Sequence, residues 1–130
     1  MVYLIVGRAK AGKTTRAYQL AWKLTQRGKT VFILDGDQVR ELFPTGYSDE
    51  DRLAHITRIA KIAKLAEAQG LTVIVAIVAP KKIWRQLARV YWQKSELIYV
   101  ESGEMWEGTE YEEPDEEEFN PSTAYMSKGK

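Results

Sequence analysis

The chain has 130 residues, 45% of them hydrophobic, with no cysteine and one histidine. That is enough for a single domain with its own core, and it excludes a disulfide framework, a thiolate metal site and a histidine cluster. The net charge of +1 conceals +9 over residues 1–100 (17 basic, 8 acidic) and −8 over residues 101–130 (2 basic, 10 acidic): the positive body suits a polyphosphate or nucleic acid, whereas the acidic tail repels free nucleic acid and suits the basic face of the body instead.

Val2–Val6 is a short apolar run that reads as a buried parallel strand. It feeds Gly7-Arg8-Ala9-Lys10-Ala11-Gly12-Lys13-Thr14, which has the phosphate-loop spacing of two glycines separated by four residues, then Lys and Thr. In such a loop backbone amides and the start of the next helix point at the phosphates, Lys13 reaches the outer phosphates, and Thr14 offers a hydroxyl oxygen to Mg²⁺. From Lys13 to Arg27 the residues Ala17, Leu20, Ala21 and Leu24 fall at helical spacing, and Gly28 sits where a left-handed cap belongs. Thr30–Leu34 is a second strand, so a right-handed β-α-β crossover brings Asp35, Gly36 and Asp37 to the edge that carries the loop.

A short helix is expected around Gln38–Phe43, then a loop at Pro44 and Gly46, then a long helix from Ser48 to about Gln69 whose stripe of Leu53, Ile56, Ile59, Ala60 and Ala63 packs inward. Leu71–Val78 is apolar on both faces, as a central strand is, and Pro80 ends it. A basic helix over Lys81–Trp92 and a fourth strand at Leu97–Val100 follow, and beyond Glu101 the crowded carboxylates describe an extended or partly disordered tail. The fold class is α/β: a three-layer phosphate-loop NTPase fold with about four parallel strands between helices. The boundaries expected are a domain over residues 1–118 and a flexible acidic tail over residues 119–130. The longest apolar run, Leu71–Pro80, is too short to span a bilayer, and Met1 leads directly into a strand without a basic region or cleavage site, so a cytoplasmic protein with no membrane partner is expected.

Several motifs, in order, resemble the adenosine 5′-phosphosulfate (APS) kinases, which phosphorylate the ribose 3′-hydroxyl of APS. After the phosphate loop, Asp35-Gly36-Asp37-Gln38-Val39-Arg40 is similar to the family's Asp-Gly-Asp-x-x-Arg, and Gly46-Tyr47-Ser48-Asp49-Glu50-Asp51-Arg52 to its Gly-Phe-Ser-x-x-Asp-Arg. Ile77-Val78-Ala79-Pro80 resembles Phe-Ile-Ser-Pro, and Trp106-Glu107-Gly108 with Tyr111-Glu112-Glu113-Pro114 resembles the Phe-Thr-Gly and Pro-Tyr-Glu ending. The resemblance implies ATP held by Gly7, Arg8, Ala9, Lys10, Ala11, Gly12, Lys13, Thr14 and Thr15, with Mg²⁺ at Thr14 and, through water, Asp35. It gives Asp37 the place beside the attacking hydroxyl, with Lys13 and Asp35 as its catalytic companions, since phosphoryl transfer depends on alignment and charge neutralisation. The acceptor falls to Asp37, Arg40, Tyr47, Arg52, His55, Val78, Ala79 and Trp106, with Arg40 and Arg52 holding the phosphosulfate and Tyr47 and Trp106 stacking the purine. A homodimer is the assembly the resemblance implies.

Three departures bear on that reading. Ala54-His55-Ile56-Thr57-Arg58 stands where the family has Glu-Asn-Ile-Arg-Arg, so His55 replaces an Asn that helps read the substrate. Ala79 replaces a Ser, which rules out a phosphoserine there. Between the fourth strand and Trp106 the family carries a lid, and here only Glu101–Met105 fill that space, leaving Lys81, Lys82, Arg85 and Arg89 on the basic helix either to supply charge over the phosphates or to form a solvated helix face. The alternatives are a kinase for another nucleotide or polynucleotide hydroxyl, and a lidless nucleotide-binding module without turnover.

Overall fold

The computed structural model describes residues 1–102 and 110–121. In chain order the elements are β1 (Val2–Gly7), α1 (Lys13–Gln26), β2 (Val31–Asp35), α2 (Gly36–Leu42), α3 (Asp49–Ala68), β3 (Thr72–Ile77), α4 (Lys82–Arg89), β4 (Ser95–Val100) and a 3₁₀ turn at Glu116–Phe119. The four strands form one parallel sheet in the order β2-β3-β1-β4.

Strand periodicity decides the layers. Val2, Leu4 and Val6 share one face with Val73, Val75 and Ile77 and pack on Ile56, Ile59, Ala60 and Ala63 of α3 and Trp84 and Ala88 of α4. Ile5, Ile74 and Ala76 point the other way, onto Ala17 and Leu24 of α1. Helices on both faces leave β3 fully buried, as its unbroken apolar run requires. Trp92, just past α4, is 1% exposed and donates from its indole nitrogen to the Ala60 carbonyl at 3.0 Å, so the ring fills the core without an unpaired N–H.

Register aligns the ends of the strands. Val6 pairs with Ile77, Gly7 with Val100, and Asp35 with Ala76, so all four strands finish on one edge. The connection from β1 runs toward β2 at one edge of the sheet and that from its neighbour β3 toward β4 at the other, and the crevice at such a reversal is where open α/β sheets bind ligands.

Two expectations are corrected here. The basic helix stops at Arg89 instead of running to Trp92, and it does not present its arginines to solvent: Arg85 is 0% and Arg89 7% exposed. Arg85 is paired with Glu118, and Arg89 donates to Ser95 and to the Glu118 and Asn120 carbonyls, so neither stands in for a lid. The acidic segment is not loose over its described part either, because residues 110–121 return to the body. Arg85 Nε donates to Glu118 Oε1 at 2.8 Å, Arg89 donates to the Glu118 and Asn120 carbonyls, and Lys82 pairs with Asp115. Among the described residues three ion pairs thus join body and tail: Arg8–Glu113, Lys82–Asp115 and Arg85–Glu118.

Candidate functional site

The edge where the strands end opens into a cleft of about 640 Å³. Its floor is the β1–α1 loop. Gly12 takes φ 101° and Lys10 φ 59°, left-handed conformations that turn the chain sharply into α1, and α1 starts with no side-chain cap and no acidic residue in its first turn. Its leading N–H groups, which a helix cannot satisfy internally, therefore face the cleft as donors for an anion. Lys13 Nζ meanwhile donates to the Arg8 carbonyl at 2.7 Å, bridging the two ends of the loop. Burial lowers the Lys13 pKa, with Asp37 and Asp35 opposing that shift.

Asp35 joins the loop to the second strand. One carboxylate oxygen accepts from the Thr14 hydroxyl at 2.8 Å, and the other accepts from the Asp37 N–H at 2.8 Å and caps α2. The cap fixes where Asp37 begins its turn of helix, so Asp37, exposed toward the cleft, is held on the same rigid corner as the loop. Thr14 and Asp35 together offer hard oxygen donors that fit a magnesium ion. Among the described residues no group of three His, Cys, Asp or Glu forms a cage for a metal, so a cation here would draw its other ligands from phosphate and water.

The opposite wall comes from α2, α3 and the end of β3. Arg40 donates to the Thr45 and Gly46 carbonyls, both at 3.1 Å, and its guanidinium lies 4.5 Å from the centre of the Tyr47 ring, with Arg52 at 6.0 Å. Tyr47 is thus presented by two cations on a loop that Arg40 itself shapes, and Asp49 pairs with Lys81 at 2.9 Å rather than with either arginine. His55 is 6% exposed and its Nδ1 has no hydrogen-bond partner among the described residues. Its pKa is lowered, first by burial and then by Arg40 and Arg58, so the ring is neutral near pH 7. Ala79 follows β3 in a left-handed conformation, φ 42°, and is buried, while Val78 is 39% exposed.

Of the residues expected to form the site, Arg8 through Thr15, Asp35, Asp37, Arg40, Tyr47, Arg52, His55, Val78 and Ala79 all line this cleft. Gly7 lies just beneath it, where an added Cβ would stand 2.6 Å from the Val100 carbonyl oxygen. Trp106 lies outside the described residues, as does the stretch from 103 to 109 that leads to it. Sequence reasoning gave no role to Tyr111, which lines the cleft, lies with Arg8 5.2 Å from its ring centre, stacks on Tyr99 at 6.1 Å, and donates to the Val78 carbonyl at 2.8 Å. Burial drives its phenol pKa upward, so it stays a donor. The sequence placed it only within a motif similar to the family's Pro-Tyr-Glu ending, and its place in the cleft depends on contacts with Arg8 and Val78 that the returning acidic segment makes.

This arrangement joins an anion-binding loop to a carboxylate corner and an arginine-aromatic wall. The family model for adenylylsulphate kinase matches residues 1–119. The chain belongs to the adenylylsulphate kinase family. Among adenylylsulphate kinase relatives, a probable adenylyl-sulfate kinase of Archaeoglobus fulgidus is 39% identical over 100 residues, covering 75% of this chain and 64% of its own length. The adenylyl-sulfate kinase of Pseudomonas aeruginosa is 42% identical over 102 residues, covering 77% of this chain but 49% of its own. A Mycobacterium tuberculosis APS kinase solved with AMPPNP and APS superposes with a TM-score of 0.71 at 25% identity, over 76% of this chain and 61% of that one. The chain therefore spans roughly half to two-thirds of the length of these adenylylsulphate kinase family members.

Proposed function

We propose that the protein transfers the γ-phosphoryl group of ATP, with Mg²⁺, to the 3′-hydroxyl of APS. The observation that carries this reading is the Thr14–Asp35–Asp37 corner, where a single carboxylate ties the phosphate loop to the residue placed for the acceptor. The α1 N-terminus and Lys13 would take the β- and γ-phosphates, and Thr14 and Asp35 would hold the metal, which neutralises the charge that builds on those phosphates. Asp37 would accept the hydroxyl proton as the acceptor oxygen attacks in line. Arg40 and Arg52 would face the phosphosulfate, with Tyr47 against the purine. A cytoplasmic location and a homodimer accord with this reading, and among the described residues no helix is long and apolar enough to cross a membrane.

Incubation with labelled ATP and a panel of acceptors tests it. Label should pass to APS and not to a 5′-hydroxyl oligonucleotide. Transfer to the oligonucleotide instead, with binding that falls steeply with salt, would transfer the assignment to a polynucleotide kinase. Nucleotide uptake without transfer to any acceptor would identify a binding module.

A further inference from the structure

The wall that closes the cleft after β3 is three consecutive carbonyls, and each is held by the returning segment or by the arginine that segment pins. Val78 O accepts from the Tyr111 hydroxyl at 2.8 Å, Ala79 O from Arg85 Nη1 at 2.8 Å, and Pro80 O from the Glu112 N–H at 2.8 Å. Arg85 in turn is clamped by Glu118, at 2.8 and 3.2 Å, and donates to the Glu112 carbonyl at 2.8 Å. The wall needs such support: Ala79 at φ 42° carries a Cβ in the left-handed region, which L residues other than glycine rarely adopt. The same segment reaches the phosphate loop. Tyr99 accepts from Arg8 at 2.8 Å and donates to Glu113 at 3.0 Å, and the Arg8 guanidinium rests against the Tyr111 ring.

We propose that the segment from Tyr111 to Glu118 is a working part of the acceptor half of the site, with Tyr111 and Glu118 as positioning residues that hold the Val78–Pro80 wall in the shape the acceptor nucleotide rests on. This rests on the reading above, in which APS lies against that wall. The segment's hold on the nucleotide half is slighter, since Lys13, Thr14 and the leading amides of α1 are set by Arg8's own carbonyl, Asp35 and the loop turn. Loss of the strap's grip should therefore fall on the acceptor and spare ATP.

The test is calorimetry on the full chain, titrating APS in the presence of MgADP and, separately, MgADP alone, for wild type, Tyr111→Phe and Glu118→Gln, with melting temperatures recorded alongside. Tyr111→Phe removes one hydrogen bond and keeps the ring; APS affinity should fall about fivefold, the ratio that corresponds to about 1 kcal/mol, with MgADP affinity within about twofold. Glu118→Gln, if folded, should weaken APS at least as much; if it does not fold, Tyr111→Phe decides alone. Unchanged APS affinity, or an equal loss for both ligands, overturns the proposal, and a lower melting temperature with both affinities intact overturns it in favour of a purely stabilising strap. A wild type that binds APS without phosphorylating it refutes the kinase reading while leaving this inference to be judged by the affinities. A wild type that takes up no APS refutes both.

Discussion

Replacing Glu118 with Gln should cost the fold about 3 kcal/mol. The Arg85 and Glu118 side chains are 0% and 4% exposed, so the pair sits outside the reach of solvent screening. Breaking a buried pair by removing one charge typically costs about 3–5 kcal/mol, because the remaining ion stays desolvated. Glutamine keeps an oxygen for Arg85 Nε, and Arg85 still donates to the Ala79 and Glu112 carbonyls, which holds the loss to the lower end. The new amide, however, brings N–H groups to the place where Glu118 Oε2 now accepts from Arg85 at 3.2 Å and from the Asp115 N–H at 3.1 Å. For a chain of this size about 3 kcal/mol corresponds to roughly 10 °C in melting temperature. Urea unfolding followed by the fluorescence of Trp84 and Trp92, both buried close by, measures it. Arg85→Met alone and the double variant complete a cycle in which the two losses should fall short of adding by about 2 kcal/mol. A Glu118→Gln loss below about 0.5 kcal/mol, or strictly additive losses, would refute the reasoning.

Other outcomes follow from the site. Asp37→Asn should cut phosphoryl transfer by about 10²–10⁴-fold while leaving MgATP affinity within about threefold; single-turnover assays with a nucleotide titration check this, and retained turnover removes Asp37 as the base. Asp35→Ala deletes both the α2 cap and the Thr14 acceptor, so it should lower stability by about 1 kcal/mol and abolish the dependence of ATP affinity on Mg²⁺, read by denaturation and by calorimetry with and without the metal. Gly7→Ala places a methyl 2.6 Å from a backbone oxygen of β4, so the strand end must shift at a cost of about 2–3 kcal/mol, and ATP affinity should fall with it. Because burial, with Arg40 and Arg58, sets the folded His55 pKa below 6.5, the unfolded chain protonates first. Stability from this group is present above 6.5 and is lost as pH falls from there through the folded pKa, so His55→Gln should flatten the acid limb of a melting-temperature profile between about pH 8 and pH 5.

The first third of the chain declared itself in its sequence because the constraints there are local. Val2–Val6, the two glycines, Lys13 and Thr14 each have a residue-level reason to sit where they do, and the crossover rule carried Asp35 and Asp37 to the same edge. The inward stripe of α3 was legible for the same reason, through helical spacing. Arg85 and Arg89 were misread because cations spaced along a helix describe a solvated face unless a partner is known, and the partner of Arg85 is 33 residues away in a segment whose composition reads as disordered. Tyr111 was legible as part of a motif, but its contacts with Arg8 and Val78 depend on the return of that same segment. Arg40 was legible as a site residue, but its work on the Thr45 and Gly46 carbonyls, which sets the loop beneath Tyr47, belongs to a turn geometry that no spacing encodes.

The buried arginine of α4 also makes the body depend on its own returning segment. In a chain cut short before Glu118 the guanidinium must either stay hydrated, holding α4 off the sheet, or enter an apolar interior without its carboxylate. Truncation at any position before 118 should therefore yield a product that proteases cut readily within α4.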